Sequence, residues 1–182
     1  MAELNVNIER AFDSARSGNW AQVLEVWQMD PQLLRACSRY WEQSSGWTFL
    51  HLAARDGQKD VCRELIRQGA NGMLHTLEMQ NAAEIARQYG HLELGNLLQR
   101  VTDSTGSLWK PVHDPDLLPS SNLWEEAVER RATESMRVAY GGGVVNIPAG
   151  SRYYVDSFER TLIGWHGSYD PPCGMDGMPM TE

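Results

Sequence analysis

The side chains that could do chemistry are few, and most lie in the last third of the chain. His113, Asp114 and Asp116, with His166 further on, offer two imidazoles and two carboxylates. Those are donor types that hold zinc and other divalent cations. None of their spacings matches a zinc, calcium or hydrolase motif. Asp and Pro also crowd loops because they make turns, and that accounts equally for Asp170 and Asp176. His166 and Cys173 could form a base and nucleophile pair, but nothing in the segment supplies the third group that orients such a base. Gly141-Gly142-Gly143 follows an expected helix and precedes an expected strand. A phosphate-cradling loop has the opposite order, so the triplet reads as a flexible joint. The expectation is no catalytic activity, no metal and no cofactor. The alternative is an enzyme or a metal- or ligand-binding domain in residues 108–182, with His113, Asp114, Asp116 and His166 as ligands, recruited by the rest of the chain.

The composition narrows the partners. The chain has 182 residues, 42% of them hydrophobic and 22% charged, which is a folded and not a disordered composition. Sixteen Lys and Arg face 24 Asp and Glu, a formal net charge of −8. Without a basic patch to override it, that charge repels phosphate backbones and anionic lipid. Nucleic acid is therefore not expected as a partner. Cys37, Cys62 and Cys173 are too scattered for a disulfide framework or a CxxC zinc site. No apolar run reaches the roughly 18 to 20 residues of a membrane span, and the first residues lack the basic and apolar stretches of a secretory signal. The expected location is the cytoplasm, or nucleus and cytoplasm in a eukaryote.

Behind these side chains stand elements that repeat. Gly46-Trp47-Thr48-Phe49-Leu50-His51-Leu52-Ala53-Ala54-Arg55-Asp56-Gly57 runs on through Asp60-Val61-Cys62-Arg63-Glu64-Leu65-Ile66 to Gly69-Ala70-Asn71. Thr48 can cap a first helix. Ala53 and Ala54 let two helices approach closely, and Gly57 and Gly69 end them. Val61, Leu65 and Ile66 form a buried stripe at helical spacing. The stretch resembles the ankyrin repeat, with Phe49 where that family usually has proline. A shift of 33 residues, the ankyrin period, maps Ala53 to Ala86, Gly57 to Gly90, Val61 to Leu94 and Leu65 to Leu98. Arg87 falls where Ala54 stood, a position normally packed against the next helix. Upstream, Ala11–Trp27 has the same two-helix shape with Ala15 and Gly18 in the Ala54 and Gly57 places, followed by a longer connection around Cys37 to Ser45.

Residues 4–101 thus read as about three repeats, a mainly α stack whose buried positions include Ala53, Ala54, Leu65, Ala86 and Leu98. The resemblance implies binding of another protein through the concave face of the stack, as a regulator or inhibitor, by a chain monomeric on its own. The contact positions it implies are Arg16, Ser17, Ser45, Trp47, Arg55, Asp56, Gln80, Gln88 and Tyr89. His51 and His91 fall where histidine is structural in that family. Trp47, at an outward hairpin position with Tyr40 and Trp41 just before it, is the expected binding anchor. Trp20, Trp27, Trp109, Trp124 and Trp165 are expected to pack inside.

Residues 102–122 carry turn and breaker residues throughout and read as a connecting loop. Residues 123–182 read as a small α+β region. A helix from Leu123 to Tyr140, capped by Asn122 with Trp124, Val128 and Ala132 on one face, precedes an antiparallel β-meander. Its strands are expected at Val144–Ile147, Arg152–Phe158 and Thr161–His166, before an irregular end from Pro171 to Pro179. This region is expected to pack on the last repeat and to give Arg87 a carboxylate or carbonyl partner.

Overall fold

The computed structural model describes residues 2–104, 109, 114, 116–164 and 166–173. The chain forms two compact units, Met1–Asp103 and Ser104–Glu182. The described residues of the first contain seven helices, α1 (Ala2–Arg16), α2 (Trp20–Met29), α3 (Pro31–Arg39), α4 (Phe49–Arg55), α5 (Lys59–Arg67), α6 (Ala82–Gln88) and α7 (Leu92–Ser104). The first helices of successive repeats form a row in which α4 touches α1 on one side and α6 on the other. The small residues make that row possible: Ala15, Ala53, Ala54 and Ala86 are wholly inaccessible. Leu65 and Leu98 are buried as the repeat pattern requires.

One helix of this unit was not expected. The connection after α2 is not merely long, because it contains α3. The local signal is Asp30-Pro31: the Asp30 carboxylate accepts hydrogen bonds from Gln32 N (3.0 Å) and Leu33 N (3.1 Å), and Pro31 takes the first helical position.

The start of α4 is set by a reciprocal cap. Thr48 Oγ1 accepts from the His51 amide, while Thr48 N donates to His51 Nδ1 at 3.0 Å. His51 Nε2 then donates to the Leu74 carbonyl at 3.1 Å, which ties the α4 start to the following loop and assigns the neutral tautomer. Burial pushes the His51 pKa down from 6.5 to about 4, against the Leu74 carbonyl, which pulls it up. A histidine held neutral when folded stabilises the unit fully above its unfolded pKa, and that stabilisation is lost as the pH falls from 6.5 towards 4. The loss should reach about 3 kcal/mol. Denaturant midpoints of the wild type and His51→Gln at neutral pH and near pH 4.5 check this; equal pH dependence in the two proteins would contradict it.

Arg87 finds its partners within the stack. Its guanidinium donates to Gln99 and Asn96 on α7, each at 3.4 Å. Room for the stem comes from Gly95, where an added Cβ would stand 2.5 Å from Arg87 Cγ and 3.0 Å from the Ala83 carbonyl.

The second unit contains β1 (Ser120–Ser121), a short 3-10 turn (Trp124–Glu126), β2 (Val128–Arg131), β3 (Met136–Tyr140), β4 (Gly143–Ile147), β5 (Arg152–Val155) and β6 (Thr161–Leu162). The expected helix from Leu123 to Tyr140 is absent. Residues rich in Glu, Arg and Ala favour a helix locally, but Val128–Arg131 pairs antiparallel with Arg152–Val155, and Met136–Tyr140 with Gly143–Ile147. Gly141 and Gly142, at φ of 60° and 79°, form the two-residue turn of the second pairing. The triplet expected as a joint after a helix is a hairpin signal. The strands lie in one four-stranded sheet, ordered β1-β6-β5-β2, and the β3–β4 hairpin. The core of this unit gathers Trp109, Ala132, Val138, Ile147 and Ile163, and Trp109 Nε1 donates to the Ile163 carbonyl at 3.0 Å.

Beneath the β5–β6 connection lies an ion pair removed from water. Arg160 Nε donates to Asp156 Oδ2 at 2.8 Å, with the side chains 4% and 0% exposed. The other carboxylate oxygen accepts from the Phe158 and Arg160 amides at 2.9 and 3.0 Å. The guanidinium also sits 5.5 Å from the Phe158 ring centroid.

Candidate functional site

The C-terminal ends of α1, α4 and α6 place three equivalent pairs on one edge of the helix row: Arg16 and Ser17, Arg55 and Asp56, Gln88 and Tyr89. The first two pairs are wired together. Arg55 makes a fork to Asp56, at 2.7 and 3.0 Å, and its Nη2 also donates to the Arg16 carbonyl at 3.0 Å. Asp56 accepts a further bond from Trp20 Nε1 at 2.9 Å. Burial alone would raise the Asp56 carboxyl, but the hydrogen bonds from Arg55 and Trp20 outweigh it and hold the group below the usual carboxylate range. Asp56 is thereby a fixed anion that orients Arg55.

The hairpin before α4 brings up the other half of the site. Glu42 N donates to the Trp47 carbonyl at 2.8 Å, and Trp41 bridges to Thr48. The Glu42 carboxylate takes hydrogen bonds from Ser45 Oγ and from the Arg16 guanidinium. The Ser45 bond first, and then Arg16, keeps it ionised below the ordinary range in spite of partial burial. Ser45 Oγ also accepts from Trp47 N at 3.2 Å. Trp47 is half-buried, its ring set edge to face against His51 with centroids 6.0 Å apart. Arg16, Glu42, Ser45, Trp47, Leu52 and Arg55 enclose a cleft of about 310 Å³.

Of the nine expected contact residues, Arg16, Ser45, Trp47 and Arg55 line this cleft, and Asp56 holds one wall of it. Ser17 is exposed in the α1–α2 turn, where its hydroxyl donates to the Ser14 carbonyl at 2.9 Å. Gln80 and Gln88 bond each other at 2.6 Å, and Tyr89 stands 55% exposed at the end of α6. Glu42 was not foreseen. Its role comes from pairing with a residue 26 positions earlier, which no local pattern announces. The apolar tip residues Leu77 and Met79, 68% and 75% exposed, were not foreseen either. The Leu77 amide donates to the Ser45 carbonyl at 2.9 Å, joining the two hairpin tips.

The alternative ligand set is not assembled among the described residues. Asp114 lies 3.6 Å from Arg137, and its Oδ1 accepts from the Asp116 amide at 2.9 Å, a turn-forming contact. Asp116 and His166 are exposed, and His113 lies outside the described residues. Among the described residues no three His, Cys, Asp or Glu side chains group to hold a metal ion. Cys173 is exposed and free, while Cys37 and Cys62 are buried thiols, the former pushed up to about 12 chiefly by burial. Trp20, Trp27 and Trp109 are buried, Trp124 is half-buried, and Trp165 and Asp176 lie outside the described residues. No described helix is long and apolar enough to cross a membrane.

Comparison with known proteins bears on the helical unit. Residues 45–76 match the model of the ankyrin repeat. Over 85 residues, 47% of this chain, the sequence is 31% identical to the NAD-capped RNA hydrolase NUDT12 of Homo sapiens, and equally to those of Pongo abelii and Macaca fascicularis. The matched segment spans 17% of the length of those relatives.

Proposed function

We propose, from the ankyrin repeat at residues 45–76, that this chain is a protein-interaction module that seats its partner on the edge formed by α1, α4 and α6 and their hairpin tips. The observation that carries this reading is the cleft walled by Trp47, where an amphipathic ring meets a fixed Arg55–Asp56 fork and an Arg16–Glu42 pair. Such a setting suits a binding anchor: a half-buried aromatic ringed by polar groups that a partner can shield from water. The chain acts without catalysis of its own, as a cytoplasmic, monomeric regulator or inhibitor of the protein it binds. The hydrolase activity in the relatives' name is not carried over, since only 17% of their length is matched.

Affinity capture with the full chain as bait tests the reading. A partner held by the wild type should be lost with Trp47→Ala, whose truncation should cost about 2 kcal/mol or more of binding. Tyr89→Ala should weaken it less, and Asp116→Ala, His166→Ala and Cys173→Ser should leave it intact. Binding unchanged in the Trp47→Ala/Tyr89→Ala double variant would overturn the assignment. So would stoichiometric metal that copurifies and is lost in His166→Ala, which would move the function to the second unit.

A further inference from the structure

The charges around the cleft point to the chemistry of the partner. Arg55 faces the Asp56 carboxylate through Nε and Nη2, and Nη2 also donates to the Arg16 carbonyl. Arg16 is matched by Glu42 and covers the Phe12 ring, with its guanidinium carbon 5.2 Å from the centroid. Neither guanidinium at the cleft is left without an anion.

The carboxylates, by contrast, are in excess. Glu9 and Asp13 are exposed on α1, Asp13 with 75% of its side chain in solvent, and Glu42 lines the cleft. All three act on the Tyr40 hydroxyl. After burial itself, they are what raises its pKa, with Arg16 opposing them only in part. Three carboxylates thus act on Tyr40 against one guanidinium, that of Arg16, which lies 4.0 Å from Asp13 and pairs with Glu42. The Tyr40 ring is fixed against Phe12 and Phe49, with centroids 5.1 and 6.1 Å away. Beside it Trp41 is 52% exposed, and Trp47 lines the cleft.

Resting on the interaction reading above, we propose that this face takes a basic segment of the partner protein, with an arginine or lysine side chain laid against Trp47 and its cationic head at Glu42. The aliphatic stem of such a side chain packs on an indole, and its charge is attracted by the ring face. Beyond the bonds from Ser45, Arg16 and Ser44, the Glu42 carboxylate keeps about one lone-pair direction for a further donor. An acidic segment would instead bring a further carboxylate to Glu9, Asp13 and Glu42, where no cleft guanidinium lacks an anion. The net charge of −8 adds long-range attraction for a basic partner.

Panning the full chain against displayed random peptides about a dozen residues long tests this without assuming a partner. The clones whose binding is lost with Trp47→Ala should be enriched in Arg and Lys over the starting library. Their binding should fall about tenfold in Glu42→Gln and a few fold in Glu9→Gln/Asp13→Asn, with the double variant acting mainly on association rate and less at high salt. Asp60→Asn removes the same kind of charge from α5, where the side chain is 98% exposed and outside the cleft lining. It should change binding by less than about twofold. The Glu9 and Asp13 substitutions lie on the exposed face of α1, so the test stands even if Glu42→Gln disturbs the hairpin. Trp47-dependent clones of acidic or neutral composition would overturn the basic-partner assignment while leaving the interaction function in place. Clones indifferent to the carboxylate variants would do the same. A panning that yields no clones, or only clones indifferent to Trp47, would overturn both.

Discussion

Replacing Phe49 by proline should lower the stability of the helical unit by about 3 kcal/mol or more, although it restores the residue usual in the ankyrin repeat. The backbone is not the reason. Phe49 is the first residue of α4, where proline is well tolerated because the lost amide has no intrahelical partner. The loss lies in the side chain. Phe49 is completely buried, and its ring meets Phe12 of α1 at 5.1 Å, Trp27 of α2 at 5.6 Å and Tyr40 at the end of α3 at 6.1 Å. Three preceding helices converge on this ring, so a smaller side chain leaves a cavity where the N-terminal helices join the repeat. Phe49→Leu should retain much more of the stability. Denaturant midpoints followed by helical circular dichroism check the order wild type, leucine, proline; a proline variant as stable as the wild type would refute the argument.

Asp156→Ala should destabilise the second unit by about 3–5 kcal/mol, the usual cost of removing one partner from a buried ion pair. The carboxylate has two tasks there. It neutralises the Arg160 guanidinium, whose buried Nη2 has no hydrogen-bond partner among the described residues, and it accepts the two amides that shape the 156–160 turn. The Asp156→Ala/Arg160→Met double variant separates the two. If the stranded charge dominates, the double variant recovers a large part of the loss. If the turn hydrogen bonds dominate, it is no better than the single variant. Thermal unfolding of the full chain, followed in parallel by near-ultraviolet and by helical circular dichroism so that the helical unit's transition is identified separately, distinguishes the outcomes. A single-variant loss below about 1 kcal/mol would show that the pair stabilises little.

The two units differ in how much their residues disclose, and the difference is physical. In the helical unit the defining interactions are local: a cap spanning Thr48 to His51, alanines at the helix contacts, glycines at the turns. Each can be found within a few positions, and the 33-residue copy repeats it. Even α3, which the repeat pattern does not supply, is announced by Asp30-Pro31. In the second unit the deciding contacts are distant. Val128–Arg131 pairs with a strand more than 20 positions away, and nothing between Leu123 and Arg131 shows that its Glu and Arg side chains will lie on an edge strand. The hairpin turn at Gly141-Gly142 was the one local clue that outweighed helical propensity. The cleft divides in the same way. Trp47 is visible from its place in the repeat, whereas Glu42 acquires meaning only when Arg16 folds back onto it.

The accommodation of Arg87 by Gly95 also constrains the order in which this stack can change. With Arg87 present, any side chain at 95 meets its stem at 2.5 Å, so an alanine at 95 is penalised. With Arg87 first replaced by alanine, the stem is gone and the tightest remaining contact is the Ala83 carbonyl, 3.0 Å from the new Cβ, which must give by a few tenths of an ångström. The two substitutions are therefore epistatic, and the paths between the present pair and a double-alanine version are unequal. Passing through 87 first crosses a shallow trough of lost packing, while passing through 95 first crosses a steric ridge. Whether Gly95→Ala is harmful or mild depends on the history of position 87, not on position 95 alone.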